Sequence, residues 1–182
     1  MQQVQNGVAQ AAKTEADAYR NGEQRPLGGY VVVMAVFGAI LSGAAGLAFA
    51  TGRRLPEGIG PWDLLLIAAG THKLSRTLTK DAVTSPLRAP FTAYQGTSGH
   101  AEVSEEVREH GGAKHAIGEL LTCPFCLAQW VGTAFVLGYA TAPRATRLAA
   151  LTMTTVAGSD VLQFVYDAIQ NGALTGEDDE GS

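Results

Sequence analysis

The sequence predicts an all-α protein: an integral membrane helical bundle of three or four transmembrane helices, with a cytoplasmic loop and disordered termini. Three observations carry that reading. Charge is segregated, because no charged residue occurs from Pro26 to Gly52 or from Leu120 to Pro143, although the chain holds 13 Lys or Arg and 17 Asp or Glu. Each uncharged run is long enough for a bilayer-spanning helix, which needs about 20 residues. The 22 glycines and abundant alanine suit helices that approach closely in lipid, where packing of small residues replaces the missing hydrophobic drive. A mean hydropathy of +0.08 averages over this segregation and hides it.

Residues 1–26 are rich in Gln, Ala, Lys, Glu and Asn. They carry too little apolar surface to offset the entropy of ordering them, so a frayed helix or a disordered, flexible tail is expected. The apolar run behind this polar head is longer than a signal-peptide core and is expected to be retained. It makes the first span, about 28–51, with Gly38, Ser42 and Gly46 recurring every four residues on one face. After a short turn around Arg53, Arg54 and Pro56, Pro61 suits the first position of a helix, where a missing N–H costs nothing. That helix, 61–78, either spans with Lys73 and Arg76 snorkelling to the interface or lies half-inserted.

The middle, Lys80 to Glu119, reads as the longest water-exposed segment. Ser85-Pro86 and Ala89-Pro90 predict extended or turn geometry before each proline, and Val103 to His110 a short amphipathic helical turn ended by Gly111-Gly112. Two further spans follow at about 121–141 and 148–168, which closes a membrane domain over 27–170. Residues 171–182 form an acidic flexible tail containing Glu177, Asp178, Asp179 and Glu180.

Basic residues orient the bundle, because Lys and Arg are retained on the cytoplasmic side. With four spans the side holding the middle loop carries nine of them against four; with three spans it carries eight against five. Both place the middle loop and the Cys pair in the cytoplasm, in an inner-membrane, multi-pass topology. The formal charge of −4 comes with no basic stripe, which argues against nucleic acid as a partner. The bilayer, a second copy or another membrane protein are the expected partners.

Chemistry concentrates at Cys123-Pro124-Phe125-Cys126, followed by Trp130. If a helix starts at the proline, both thiols and the indole share a face, and Cys123 sits near the helix cap, where unsatisfied N–H groups favour a thiolate. Three readings of the pair stand open: small packing residues kept reduced, a redox dithiol, or a Zn²⁺ site completed by His110 and His115. No other cofactor is expected. His72, Arg76 and Lys80 share a helical face suited to headgroups, Asp81 offers a local partner to Arg76 or Arg88, and Asp160 stands inside the last span, where an unpaired carboxylate is costly. His72, Lys73 and Arg76 are its candidate partners.

The blocks His72-Lys73-Leu74-Ser75-Arg76, Thr79-Lys80-Asp81, Pro86-Leu87-Arg88-Ala89-Pro90-Phe91 and Glu119-Leu120-Leu121-Thr122-Cys123-Pro124-Phe125-Cys126, with Trp130, resemble a bacterial membrane family known as domain of unknown function 1360. The resemblance covers roughly residues 60 to 165 and implies a bacterial integral membrane protein. It also implies a family site drawn from His72, Arg76, Asp81, Arg88 and Trp130. The chain departs from the family in its polar head and acidic tail. A scaffold or interaction subunit is the leading expectation, a thiol-redox or metal-binding membrane protein the alternative, and an oligomeric transporter component the third.

Overall fold

The computed structural model describes residues 1–23, 25–52, 58–100, 102–108 and 111–177. His110, the arginines at 53 and 54, and the acidic residues 178–180 lie outside the described residues. The helices are α1 (Gln2–Arg20), α2 (Leu27–Ala50), α3 (Pro61–Lys80), α4 (Ser85–Arg88), α5 (Gly112–Thr122), α6 (Pro124–Thr141) and α7 (Pro143–Glu177), and the strands are β1 (Thr92–Thr97) and β2 (Val103–Val107). The all-α expectation is therefore corrected by one antiparallel hairpin. The chain forms two compact units, Met1–Thr51 with Thr79–Cys123, and Gly52–Leu78 with Pro124–Ser182.

In the first unit, α1 is a continuous helix with no buried residue. The opening turns of α2 pack on α5: a Cβ at Gly29 would collide with the Gly112 carbonyl and touch the Ala116 methyl, so the backbones meet where neither helix carries bulk. Tyr30 Oη donates to Glu119 Oε2 at 2.6 Å across the same contact. Beyond it, the large side chains of α2 face outward, Met34 at 71% and Phe49 at 91% exposed.

The hairpin replaces the helical turn expected at Val103 to His110. Val103 and Val107 are four apart, a spacing that suits a helix face and a strand face equally. In the strand the alternation is carried by Val103, Glu105 and Val107, and Val103 is buried. Val107 then packs where a Cβ would stand on Gly118 of α5. A bulge at Gln95 shifts the register between Tyr94, opposite Glu105, and Gly96, opposite Ser104; Gly96 takes φ +150° there, a conformation open to glycine at little cost.

The second unit packs α3, α6 and α7. The buried stripe of α6 is Leu127, Val131, Phe135 and Tyr139, joined by Ile67 and Ala150. Small residues set the approach: a Cβ on Gly70 would lie 3.2 Å from the Ala150 backbone, and one on Gly138 would lie 2.8 Å from Thr146 Oγ1. Thr154 Oγ1 also donates to the Leu66 carbonyl at 3.0 Å. Pro61 and Pro124 open their helices, as a missing N–H at the first position allows.

Among the described residues two helices are long and apolar enough to cross a membrane: α2, with mean hydropathy 2.3, and Pro143–Gly172 of α7, with 1.3. A third is added if α5 and α6, on either side of Cys123, act as one broken span. Helix α3 falls short because Asp63, Lys73, Arg76 and Lys80 interrupt it. Helix α7 starts five residues before the span expected at 148 and runs nine beyond 168, about 50 Å of helix at 1.5 Å per residue.

Gly29→Ala is expected to force α2 and α5 apart and cost about 1–3 kcal/mol, the usual range for overpacking. A lowered thermal midpoint of the detergent-solubilised protein checks this. Gly46→Ala, with nothing within 4 Å of the new methyl, is expected to leave the midpoint unchanged or slightly raised.

Candidate functional site

Arg88 is the most completely enclosed large side chain in the first unit, with no solvent exposure. Its Nε donates to Glu105 Oε2 at 2.7 Å and Nη2 reaches Glu105 Oε1 at 3.1 Å, a forked pairing with β2. Nη1 donates to Thr84 Oγ1 at 2.7 Å, and Nη2 lies 3.0 Å from the Asp81 carbonyl and 3.2 Å from Ser85 Oγ. Thr92 Oγ1 lies 3.0 Å from both the Arg88 carbonyl and Glu105 Oε2. The sequence offered Asp81 as a local partner to Arg76 or Arg88; toward Arg88 it gives its main-chain oxygen, and the carboxylate there comes from Glu105.

This clamp also explains the backbone around the prolines. Ser85 and Ala89 precede Pro86 and Pro90, yet both are right-handed helical, at φ −50°, ψ −36° and φ −49°, ψ −33°, rather than extended. The steric bias against that geometry is offset by the guanidinium, which binds the segment Asp81 to Ser85 from inside. Burial pushes the Glu105 carboxyl up, but the Arg88 hydrogen bonds and charge, with Thr92 and Ser85, outweigh it and hold the group below the ordinary carboxylate range.

A second polar cluster ties together the ends of three helices in the other unit. Asp63, in the first turn of α3, accepts from Arg147 Nε at 2.7 Å and Arg147 Nη2 at 2.6 Å, and from Tyr139 Oη at 2.6 Å. The Arg147 guanidinium also lies 6.0 Å from the centroid of the Tyr139 ring. In the sequence Asp63 stands only as an interruption of the apolar run from Trp62 to Thr71, and neither Tyr139 nor Arg147 is marked as its partner. A lone acid at the start of an apolar helix was the available signal, because such a carboxylate needs a partner as much as Asp160 does.

Asp160 itself is paired: Lys73 Nζ lies 2.8 Å from its Oδ2, so of the three basic side chains offered as partners Lys73 takes the contact. His72 is exposed on α3 and Arg76 half-buried. Trp130 and Cys126 sit on α6, Trp130 half-buried and Cys126 exposed, each one position before the buried residues Val131 and Leu127. Cys123 is half-buried and extended at φ −105°, ψ 105°, ending α5 and preceding α6. Helix α6 starts at Pro124, as expected, which leaves Cys123 at the cap position just before it. His115 Nε2 faces Glu119 Oε1 at 3.4 Å one turn along α5. Among the described residues no group of three or more His, Cys, Asp or Glu is placed to hold a metal ion.

A family model described as a protein of unknown function, DUF1360, matches residues 65–166. The chain belongs to this family. The DUF1360 region contains the whole Arg88–Glu105 clamp, the Lys73–Asp160 pair, Tyr139 and Arg147, and begins two residues after Asp63. Helices α1 and α2, with the rest of the chain before residue 65, lie outside it. No curated protein and no solved structure matches the chain.

Arg88→Ala leaves the Glu105 carboxylate buried without its cation and is expected to cost about 3–5 kcal/mol, the usual penalty for breaking a buried pair. Hydrogen exchange of the hairpin amides measures it. Because the folded Glu105 is held below its unfolded value, its contribution is present above the ordinary carboxylate range and is lost as pH falls through the folded value. Wild-type stability should therefore fall on acidification, and Glu105→Gln should flatten that part of the profile. For the other cluster, Asp63→Asn and Arg147→Gln should each lower the thermal midpoint, and the double variant should lower it little further than either, since one interaction is lost once.

Proposed function

We propose that this DUF1360 protein is a membrane scaffold in the cytoplasmic membrane of a bacterium, which holds the Arg88-clamped hairpin toward the cytoplasm as an interaction module. The observation that carries the reading is the clamp itself. A fully buried arginine spends its donors on Glu105, Thr84, Ser85 and the Asp81 carbonyl, which stiffens a surface instead of equipping a reaction centre. The ionic groups within the helical unit, Asp63 with Arg147 and Lys73 with Asp160, are likewise spent on joining helices. Outward-facing apolar residues on α2 and α7 support insertion in lipid, because apolar surface of that extent is unfavourable in water. The excess of basic residues beside the middle loop supports the cytoplasmic side.

The hairpin offers its partner an exposed outer face that includes Tyr94, 64% exposed, and Gln95, which is hydrogen-bonded to Glu106. A second reading, thiol exchange, is favoured by one feature: Cys126 is exposed in the first turn of α6, where helix N–H groups stabilise a thiolate.

A photo-crosslinking residue placed at Tyr94 in living cells is expected to give a discrete adduct with a second copy or another membrane protein. The adduct should disappear in Arg88→Ala while the chain stays in the membrane fraction. No adduct from positions 94, 95 and 97 retires the scaffold reading. If a thiol titrates well below about 8.5 and loses that reactivity in Cys126→Ser, thiol exchange takes its place.

A further inference from the structure

We propose that a cavity at the entrance of α2 binds a phosphate anion, presented as the headgroup of an anionic lipid in the leaflet that α2 enters. The cavity holds about 520 Å³ and lies between Arg20 and Arg25 on one side and the glycine-rich contact of α2 with α5, at Gly29 and Gly112, on the other; Val32 lines its apolar end. Glu23 also lines it, while Asp17 and Glu119 meet the two guanidinium groups from outside the lining at 2.8 Å and 3.7 Å.

Arg25 has donors to spare. Its side chain is 53% exposed, and the guanidinium stands 3.6 Å from Glu23 and 3.7 Å from Glu119, long beside the 2.7–2.9 Å of a good charge-assisted bond; the Tyr30 hydroxyl is its other neighbour. Arg20 uses Nε on the Arg25 carbonyl and Nη1 on Asp17. Guanidinium groups match phosphate oxygens in forked geometry, which a lysine does not. Two helix starts add to them, since neither Pro26 before α2 nor Gly111 before α5 supplies a side-chain cap, and the partial positive charge of each helix start favours an anion.

Position selects the lipid form of the anion. The uncharged run begins at Pro26, right after Arg25, so the cavity sits where a membrane-crossing α2 passes from headgroups to acyl chains. Val32 at its inner end suits the first carbons of a chain. Helix α1 ends at Arg20 with Val4, Val8 and Tyr19 on one face, all exposed, an arrangement suited to lying on the same surface. Arg20 and Arg25 are outside the family region, so this site belongs to this chain's own head.

The inference rests on α2 spanning the membrane, and that is checked apart from it: release of the chain by alkaline carbonate sinks the membrane reading whatever binds the cavity. The binding test uses the full chain in neutral detergent, with native mass spectrometry against short-chain phosphatidylglycerol, short-chain phosphatidylcholine and inorganic phosphate. Phosphatidylglycerol should bind one to one and at least about tenfold more tightly than phosphatidylcholine, a gap of 1.4 kcal/mol. Arg20→Gln with Arg25→Gln should erase that preference, Arg25→Lys should recover part of it, and Lys13→Gln, outside the cavity, should not change it. Displacement of phosphatidylglycerol by inorganic phosphate at equal concentration supports the anion site and assigns it to the free ion. Equal binding of both lipids, or a preference untouched by the arginine substitutions, overturns the proposal.

Discussion

The architecture of the hairpin and the segment that packs on it depends on one buried ion pair. Arg88 and Glu105 come from segments 17 residues apart, and each fixes the other's surroundings. The guanidinium binds the Asp81 carbonyl and the Thr84 and Ser85 side chains just ahead of Pro86, while the carboxylate commits the Val103–Val107 segment to strand geometry by drawing Glu105 inward. A pair taken out of water costs solvation, and it is tolerated only where hydrogen bonds satisfy what remains. Thr84, Ser85, Thr92 and the Asp81 carbonyl do that here. Removing either partner leaves the other stranded, so the pair acts as a condition on the fold more than as a source of stability.

The helical unit applies the same rule in a different setting. Apolar packing of Leu127, Val131, Phe135, Ile67 and Ala150 brings the helices together without strongly specifying which ends meet. Asp63, Tyr139 and Arg147 provide that specification at one end, and Lys73 with Asp160 provides it elsewhere along α3 and α7. In a low-dielectric medium a carboxylate without a partner is expensive, which makes each pair a register mark. Glycines at 70 and 138 then allow the backbones close enough for those side chains to reach.

These assignments leave the family's features divided between structure and surface. Arg88, within the blocks that carry the resemblance, is a clamp; Asp81 contributes a backbone oxygen; Cys126 and His72 stay exposed. A membrane scaffold uses such an arrangement directly, since rigidity inside and accessible side chains outside are what a docking surface requires.

The sequence by itself determined the helices whose signal is local. The uncharged run after Pro26 appears as α2, Pro61 and Pro124 start helices, and the end of α6 at Thr141 was legible, because charge segregation and a missing N–H act within a few residues. Tertiary structure decided the hairpin, since Val103 and Val107 satisfy two periodicities and only the distant Arg88 makes an inward Glu105 favourable. It decided the early start of α7 as well, where Arg147 looked like a flanking charge until Asp63 neutralised it. It also decided which of His72, Lys73 and Arg76 meets Asp160. In each case the determining partner is 17 or more residues away, and a pattern read along the chain carries no record of it.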